Sequence, residues 1–192
     1  KYDSDKKISQ ISTLNASGKE EDVLKFTYNK SGKLISAQNG SKKAVFSYDG
    51  NGRLIKKDIT DSDGYTVSDI FEYNDRGELI RATISQDESG MANLTEEYQY
   101  DENGMLTKKV SKNFRGMTEE YEYKNDEHGN PIEIRYTEKE HDEISYSSTE
   151  TYSYEYGAKK IVAVGETDRG GVKRTYEYQK SQSVITPESD IF

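Results

Sequence analysis

The sequence predicts an all-β chain: a long up-and-down antiparallel meander of about fourteen strands built from hairpin repeats. Three observations carry this. A phrase recurs almost unchanged at Phe26-Thr27-Tyr28-Asn29 to Gly32-Lys33-Leu34-Ile35, Phe46-Ser47-Tyr48-Asp49 to Gly52-Arg53-Leu54-Ile55, Phe71-Glu72-Tyr73-Asn74 to Gly77-Glu78-Leu79-Ile80 and Tyr98-Gln99-Tyr100-Asp101 to Gly104-Met105-Leu106-Thr107. Aromatic–polar–aromatic is a period-two pattern of β-formers, and no stretch shows the i, i+3, i+4 apolar spacing of a helix. Turn signals separate every apolar segment, and short connections make antiparallel neighbours.

Each copy accounts for one hairpin. An Asn or Asp followed three residues later by Gly suits a type I turn with a left-handed glycine and a one-residue bulge. The side-chain oxygen bonds the turn's own backbone, and only glycine takes positive φ cheaply. That geometry pairs Asn29 with Lys33, Tyr28 with Leu34 and Phe26 with Ser36. It sets Lys56, Arg81 and Lys108 opposite Phe46, Phe71 and Tyr98. A half-copy opens the chain at Tyr2-Asp3, and repeat units start near residues 26, 46, 71, 98, 121, 152 and 176. The fifth stretches its turn through Asp126, His128, Gly129 and Pro131. The sixth shortens it at Gly157, and the seventh, at Tyr176, loses its glycine. Links between units carry their own signals at Asn39-Gly40, Asp63-Gly64, Ser89-Gly90, Arg115-Gly116 and Gly170-Gly171. Pro131 and Pro187 fit outside the ladders, in a long turn and near a C-terminal tail at 181–192. The whole of 1–192 is expected to form a single β-repeat domain.

Alternation gives the sheet two faces. One carries Tyr28, Tyr48, Tyr73, Tyr100 and Tyr123 opposite Leu34, Leu54, Leu79 and Leu106. Its second band runs Phe26, Phe46, Phe71, Tyr98, Tyr121, Tyr152, and its third Leu24, Ala44, Asp69, Glu96, Glu119, Glu150. The other face holds Ile35, Ile55, Ile70, Ile80 and Ile84 among polar residues. The aromatic face is assigned to the core, with the isoleucine face as its rival. Facing sheets pack about 10 Å apart, and Tyr and Leu cannot fill a round barrel of this many strands. The sheet is therefore expected to curve strongly or to close into a flattened barrel. An outer-membrane barrel is disfavoured, because each strand offers too short an apolar band.

Composition narrows the function classes. Apolar residues make up only 31%, but 16 Tyr at ordered spacing argue against disorder. The absence of cysteine removes disulfide and thiolate chemistry. A net charge of −9 with no basic block argues against nucleic acid. No apolar run reaches transmembrane-helix length. The chain starts at Lys1 rather than Met, which suggests a trimmed product with its targeting segment outside it.

The chemistry-bearing residues are few. His128 and His141 sit in irregular turn regions and form no triad by spacing. Asp49-Gly50-Asn51-Gly52 and Asp61-Ser62-Asp63-Gly64 look like the start of a calcium loop but lack its later ligands, so they are turns first. No metal and no cofactor are expected. The row Asp69, Glu96, Glu119, Glu150 is the best acid/base candidate. Corresponding residues two strands apart lie about 9.6 Å from one another, at the far limit of inverting glycosidase geometry.

The aromatic-x-Tyr-Asp/Asn-x-x-Gly-x-Leu-Ile phrase resembles the tyrosine–aspartate (YD) or Rhs repeats of bacterial surface and toxin-shell proteins, well over residues 26–132 and loosely beyond. The chain also resembles YD-like secreted lipoproteins of gut Bacteroidetes. That resemblance implies a cell-envelope or extracellular location, on the bacterial surface or in the periplasm, and a lipid anchor ahead of Lys1. The chain has no long array and no appended toxin domain of the Rhs kind. The leading expectation is a non-enzymatic surface module binding carbohydrate or protein. Tyr98, Tyr121 and Tyr152 would be its platform and Glu96, Glu119 and Glu150 its acceptors, since tyrosine gives rigid contact area with a polar tip. The alternatives are a scaffold without ligand and a glycan-acting hydrolase using two of the row's carboxylates.

Overall fold

The structure, a computed structural model, describes residues 1–85, 93–156, 161–167 and 174–178, with the backbone alone from residue 155 on. The first strands are β1 Gln10–Leu14, β2 Glu20–Tyr28, β3 Leu34–Gln38, β4 Lys42–Tyr48 and β5 Leu54–Asp61. They are followed by β6 Thr66–Tyr73, β7 Leu79–Ser85, β8 Asn93–Tyr100, β9 Leu106–Lys112 and β10 Met117–Asn125. The last are β11 Pro131–Glu140, β12 Glu143–Tyr156, β13 Ile161–Thr167 and β14 Arg174–Tyr178. Each strand pairs with its sequence neighbours, in the order β1 to β14. Among the described residues no ladder returns from β14 to β1, so the meander is open rather than closed into a barrel. None of the described residues is helical, and no helix is long and apolar enough to cross a membrane. The links at Ser89-Gly90 and Gly170-Gly171, the shortened turn at Gly157 and the 181–192 tail with Pro187 lie outside the described residues.

The hairpin turns form as their residues require. In the β4–β5 hairpin the Gly52 N–H donates to Asp49 O at 2.9 Å and the Asp49 N–H to Arg53 O at 2.9 Å. Asp49 Oδ1 accepts the N–H groups of Asn51 and Arg53 at 2.9 and 2.8 Å, so the side chain holds the loop from inside. Gly52 has φ +79°, the left-handed conformation that excludes most side chains. The same turn recurs at Asn29, Asn74, Asp101 and Asp126. It also serves the opposite strand ends, at Asp61 and Asn113, where the sequence signalled turns but not this shared form, and at Asn15, where it signalled none. Asp49 and Asp61 thus direct their carboxylates at backbone amides. A Gly104→Ala variant is expected to lose about 1 kcal/mol or more, read from the urea midpoint, because its φ is +79°.

The register departs from expectation one residue beyond each turn. Tyr48 pairs with Leu54 as predicted, but Ser47 pairs with Lys56 and Phe46 with Lys57. Ile55 is an extra residue, a bulge that bends the strand and re-aims the side chains beyond it. The same shift skips Ile35, so Phe26 pairs with Ala37 rather than Ser36. It also skips Thr107, so Tyr98 pairs with Lys109 rather than Lys108. The lysines facing the aromatic band are therefore Lys57 and Lys109, not Lys56 and Lys108. Arg81 is exposed while Ala82 is buried, and Ile84 is half-buried where Ile80 is exposed.

The described residues fall in two compact units. One holds residues 1–72 and 83–85, the other residues 73–82 and those from 93 on. In the first, Ala37, Ala44, Phe46, Leu54 and Phe71 are buried, whereas Val45, Ile55 and Ile70 are exposed. The aromatic face is the core side and the isoleucine face is the outer one. Burying large residues at 20–33 cal/mol per Å² favours the face that carries aromatics. In the second unit the core side is thinner, and its side chains are mostly half-buried.

Candidate functional site

The second tyrosine of four repeats reaches back to the preceding unit. Tyr28 donates its hydroxyl to Ile8 O at 2.9 Å, Tyr48 to Leu34 O at 2.7 Å, Tyr100 to Leu79 O at 2.9 Å and Tyr154 to Pro131 O at 2.7 Å. The reason is local. The β3–β4 ladder begins at Ser36↔Val45, so the Leu34–Ile35 peptide lies outside it, and a carbonyl out of a ladder needs another donor. In the stretched fifth unit Asn125 Nδ2 takes over, donating to Leu106 O at 2.8 Å. Two lysines add to these contacts, Lys7 after the positive-φ Lys6 and Lys33 after Gly32. The ammonium groups of Lys7 and Lys33 lie 5.3 Å from the ring centroids of Tyr28 and Tyr48.

In the second unit the candidate strip occupies three parallel rows on the core side. One runs Glu96, Ser111, Glu119, Glu138, Tyr146 across β8 to β12. The next runs Tyr98, Lys109, Tyr121, Tyr136, Ser148. The third pairs Tyr123 with Ile134 and Ile134 with Glu150. The fold thus brings together Tyr98, Tyr121, Glu96 and Glu119. Glu150 falls in the row of Tyr123 instead of that of Glu119, and Tyr152 is displaced with it. The cause is the link between β11 and β12. His141 and Asp142 form a two-residue turn with φ +49° and +69°, and its tightness sets the register. Both His128 and His141 are exposed.

All six residues are half-buried. Tyr98 donates its hydroxyl to Glu96 Oε2 at 2.7 Å, and Tyr152 donates likewise to Glu150 Oε2. Glu96 Oε1 also takes Lys109 Nζ at 2.6 Å and Ser111 Oγ at 3.3 Å. Burial pushes the Glu96 carboxyl up, but the bonds from Lys109, Tyr98 and Ser111 and the Lys109 charge outweigh it and hold it below its ordinary value. Burial first, then the Glu96 bond and charge, push the Tyr98 phenol up. Burial and the Glu119 charge do the same to Tyr121. Tyr136 and Tyr146 extend the strip. The Tyr121 and Tyr136 ring centroids are 4.9 Å apart and those of Tyr136 and Tyr146 5.8 Å. The Tyr136 hydroxyl lies 3.4 Å from Glu119 Oε1 and 3.2 Å from Glu138 Oε2. The repeat phrase does not include these two tyrosines, but their aromatic parity along β11 and β12 was available as a signal.

Asp69, from the same predicted carboxylate row, is buried in the first unit. It pairs with Lys57 Nζ at 2.8 Å and accepts the Ser85 N–H at 3.0 Å. Among the described residues no three His, Cys, Asp or Glu side chains are grouped as a metal site would require.

A depressed Glu96 pKa has a defined consequence. Its stabilisation is complete above the unfolded carboxyl value near 4.5 and is lost as pH falls through the lower folded value. Glu96→Gln is therefore expected to flatten the acid limb of the stability curve, measured by urea denaturation from roughly pH 5 to pH 3. An unchanged acid limb in the variant would show that Glu96 does not contribute.

An open meander of Asn/Asp-x-x-Gly hairpins, four of them tied back to the preceding unit by a tyrosine hydroxyl, defines a YD/Rhs-type repeat protein. The teneurin YD-shell profile matches residues 1–114, more than half of the chain, and the chain belongs to that family. Among solved structures it is similar to a chain in the crystal structure of TcdB2-TccC3-Cdc42, with 14% identity and a TM-score of 0.37. That likeness covers 90% of this chain and only 13% of the other. No curated protein matches the chain.

Proposed function

We propose that the chain is a non-enzymatic YD-shell segment, a single domain of a secreted or cell-surface protein, whose tyrosine–glutamate face contacts protein or carbohydrate. The supporting observation is the row of Tyr98, Tyr121 and Tyr136, with Glu96, Glu119, Glu138 and Tyr146 in the adjoining row. Rigid aromatic area flanked by acceptors is what such ligands need. Family membership supports an extracellular or envelope location; a lipid anchor is part of the proposal and rests on the sequence resemblance alone. Catalysis is disfavoured because Asp69 and Glu96 are each tied to a lysine. A second reading, a wall without a ligand of its own, is favoured by the Tyr98 and Tyr152 hydroxyls being bonded to carboxylates on their own strands.

The test is a glycan array and a pull-down against surface proteins, using wild type and a folded Tyr98→Ala, Tyr121→Ala variant. Binding by wild type that the variant loses supports the contact face. Binding that the variant keeps moves the site elsewhere, and no binding by either favours the wall.

A further inference from the structure

The chain contains three Asn-Gly pairs, Asn39-Gly40, Asn51-Gly52 and Asn103-Gly104. Their chemistry is the same, but the fold treats them differently. The Gly52 N–H donates to Asp49 O at 2.9 Å and the Gly104 N–H to Asp101 O at 3.1 Å, and both glycines hold φ +79°. Their nitrogens are committed to the hairpin turns. The Gly40 N–H has no acceptor among the described residues. Gly40 lies in the loop between β3 and β4, exposed, with open space around it. The Asn39 side-chain amide faces donors. Its Oδ1 accepts the Ser41 N–H at 3.0 Å, the Lys42 N–H at 2.7 Å and the Ser41 hydroxyl at 3.2 Å. Donors aimed at a carbonyl oxygen stabilise the negative charge that develops there when a nucleophile adds to its carbon.

We infer that Asn39 is a self-modification site, converting spontaneously through a cyclic imide while Asn51 and Asn103 are protected by their turns. The Gly40 nitrogen attacks Asn39 Cγ and the N–Cγ bond forms. The Cγ–Nδ2 bond breaks, and Nδ2 leaves as ammonia, carrying the proton lost by Gly40. Water then opens the imide. Addition at Cγ gives aspartate, and addition at the Asn39 main-chain carbonyl gives isoaspartate, with no change of oxidation state. Either product adds a negative charge to the loop. The isoaspartyl product also inserts a methylene into the backbone between Gln38 and Gly40. That displaces the Asn39 N–H from Lys42 O, its acceptor at 2.9 Å, next to the Gln38↔Lys43 pair.

The experiment ages the folded protein at mildly alkaline pH and maps its peptides by mass spectrometry, with a urea-unfolded sample alongside. Conversion at Asn39 is expected to exceed that at Asn51 and Asn103 by roughly tenfold in the folded protein, since those two must first break a turn hydrogen bond. The unfolded sample should convert all three at similar rates. Gly40→Ala, whose Cβ meets nothing within 4 Å, should slow Asn39 alone. Equal conversion of the three pairs in the folded protein, or an intact Asn39 beside converted Asn51 or Asn103, would overturn the assignment. So would an undiminished rate in the Gly40→Ala variant.

Discussion

Replacing Lys57 with methionine should cost about 3–5 kcal/mol of folding stability, the loss expected when one partner of a buried ion pair is removed. Only 9% of the Lys57 side chain and 5% of the Asp69 side chain are exposed, with Nζ 2.8 Å from Oδ2. Without the ammonium, Asp69 would keep the Ser85 amide as a donor but no counter-charge. Pairing Lys57→Met with Asp69→Asn should recover most of the loss, because the amide oxygen still accepts from Ser85 and no charge remains buried. Urea denaturation of the two variants decides it. A single variant within about 1 kcal/mol of wild type would mean that water reaches this pair.

Tyr48→Phe should cost about 1–3 kcal/mol, although it removes one oxygen and leaves the ring in place. The loss comes from Leu34, whose carbonyl lies outside the ladder and is left without its 2.7 Å donor in a part-buried setting. Tyr28→Phe is the internal control. Its bond to Ile8 O is of similar length but exposed, so water replaces it and the cost should be smaller. Equal effects at the two positions would show that the carbonyl at the bulge makes no special demand.

These two residues mark where the sequence was legible and where it was not. The hairpins follow from Asn/Asp-x-x-Gly because the turn is local: its donors, acceptors and left-handed glycine all lie within five residues. The bulges at Ile35, Ile55 and Thr107 carry no comparable mark, because a side chain in a bulge needs no special φ. The predicted register therefore agrees through Tyr48↔Leu54 and slips by one beyond it, exchanging Lys56 for Lys57. The displacement of Glu150 and Tyr152 has a similar origin, since the turn that causes it uses His141 and Asp142 at positive φ where glycine or asparagine would have signalled it. In the candidate site, parity placed Tyr98, Tyr121, Glu96 and Glu119 on one face. It could not show that the Tyr98 hydroxyl bonds Glu96, two residues away on its own strand.

The strand order has a kinetic meaning as well. Every ladder among the described residues joins strands that adjoin one another in the chain, so folding of these strands closes short loops and does not wait for distant segments to meet. For an all-β protein that is an unusually local set of contacts. Among the described residues most hairpins carry a side-chain-braced turn, so structure can start at several of them and spread to their neighbours. Unfolding should run the same way in reverse, by fraying inward from the ends. Amide hydrogen exchange would then be fastest in β1, which among the described residues has a partner strand on one side only, and slower along β4 and β5, which are paired on both sides.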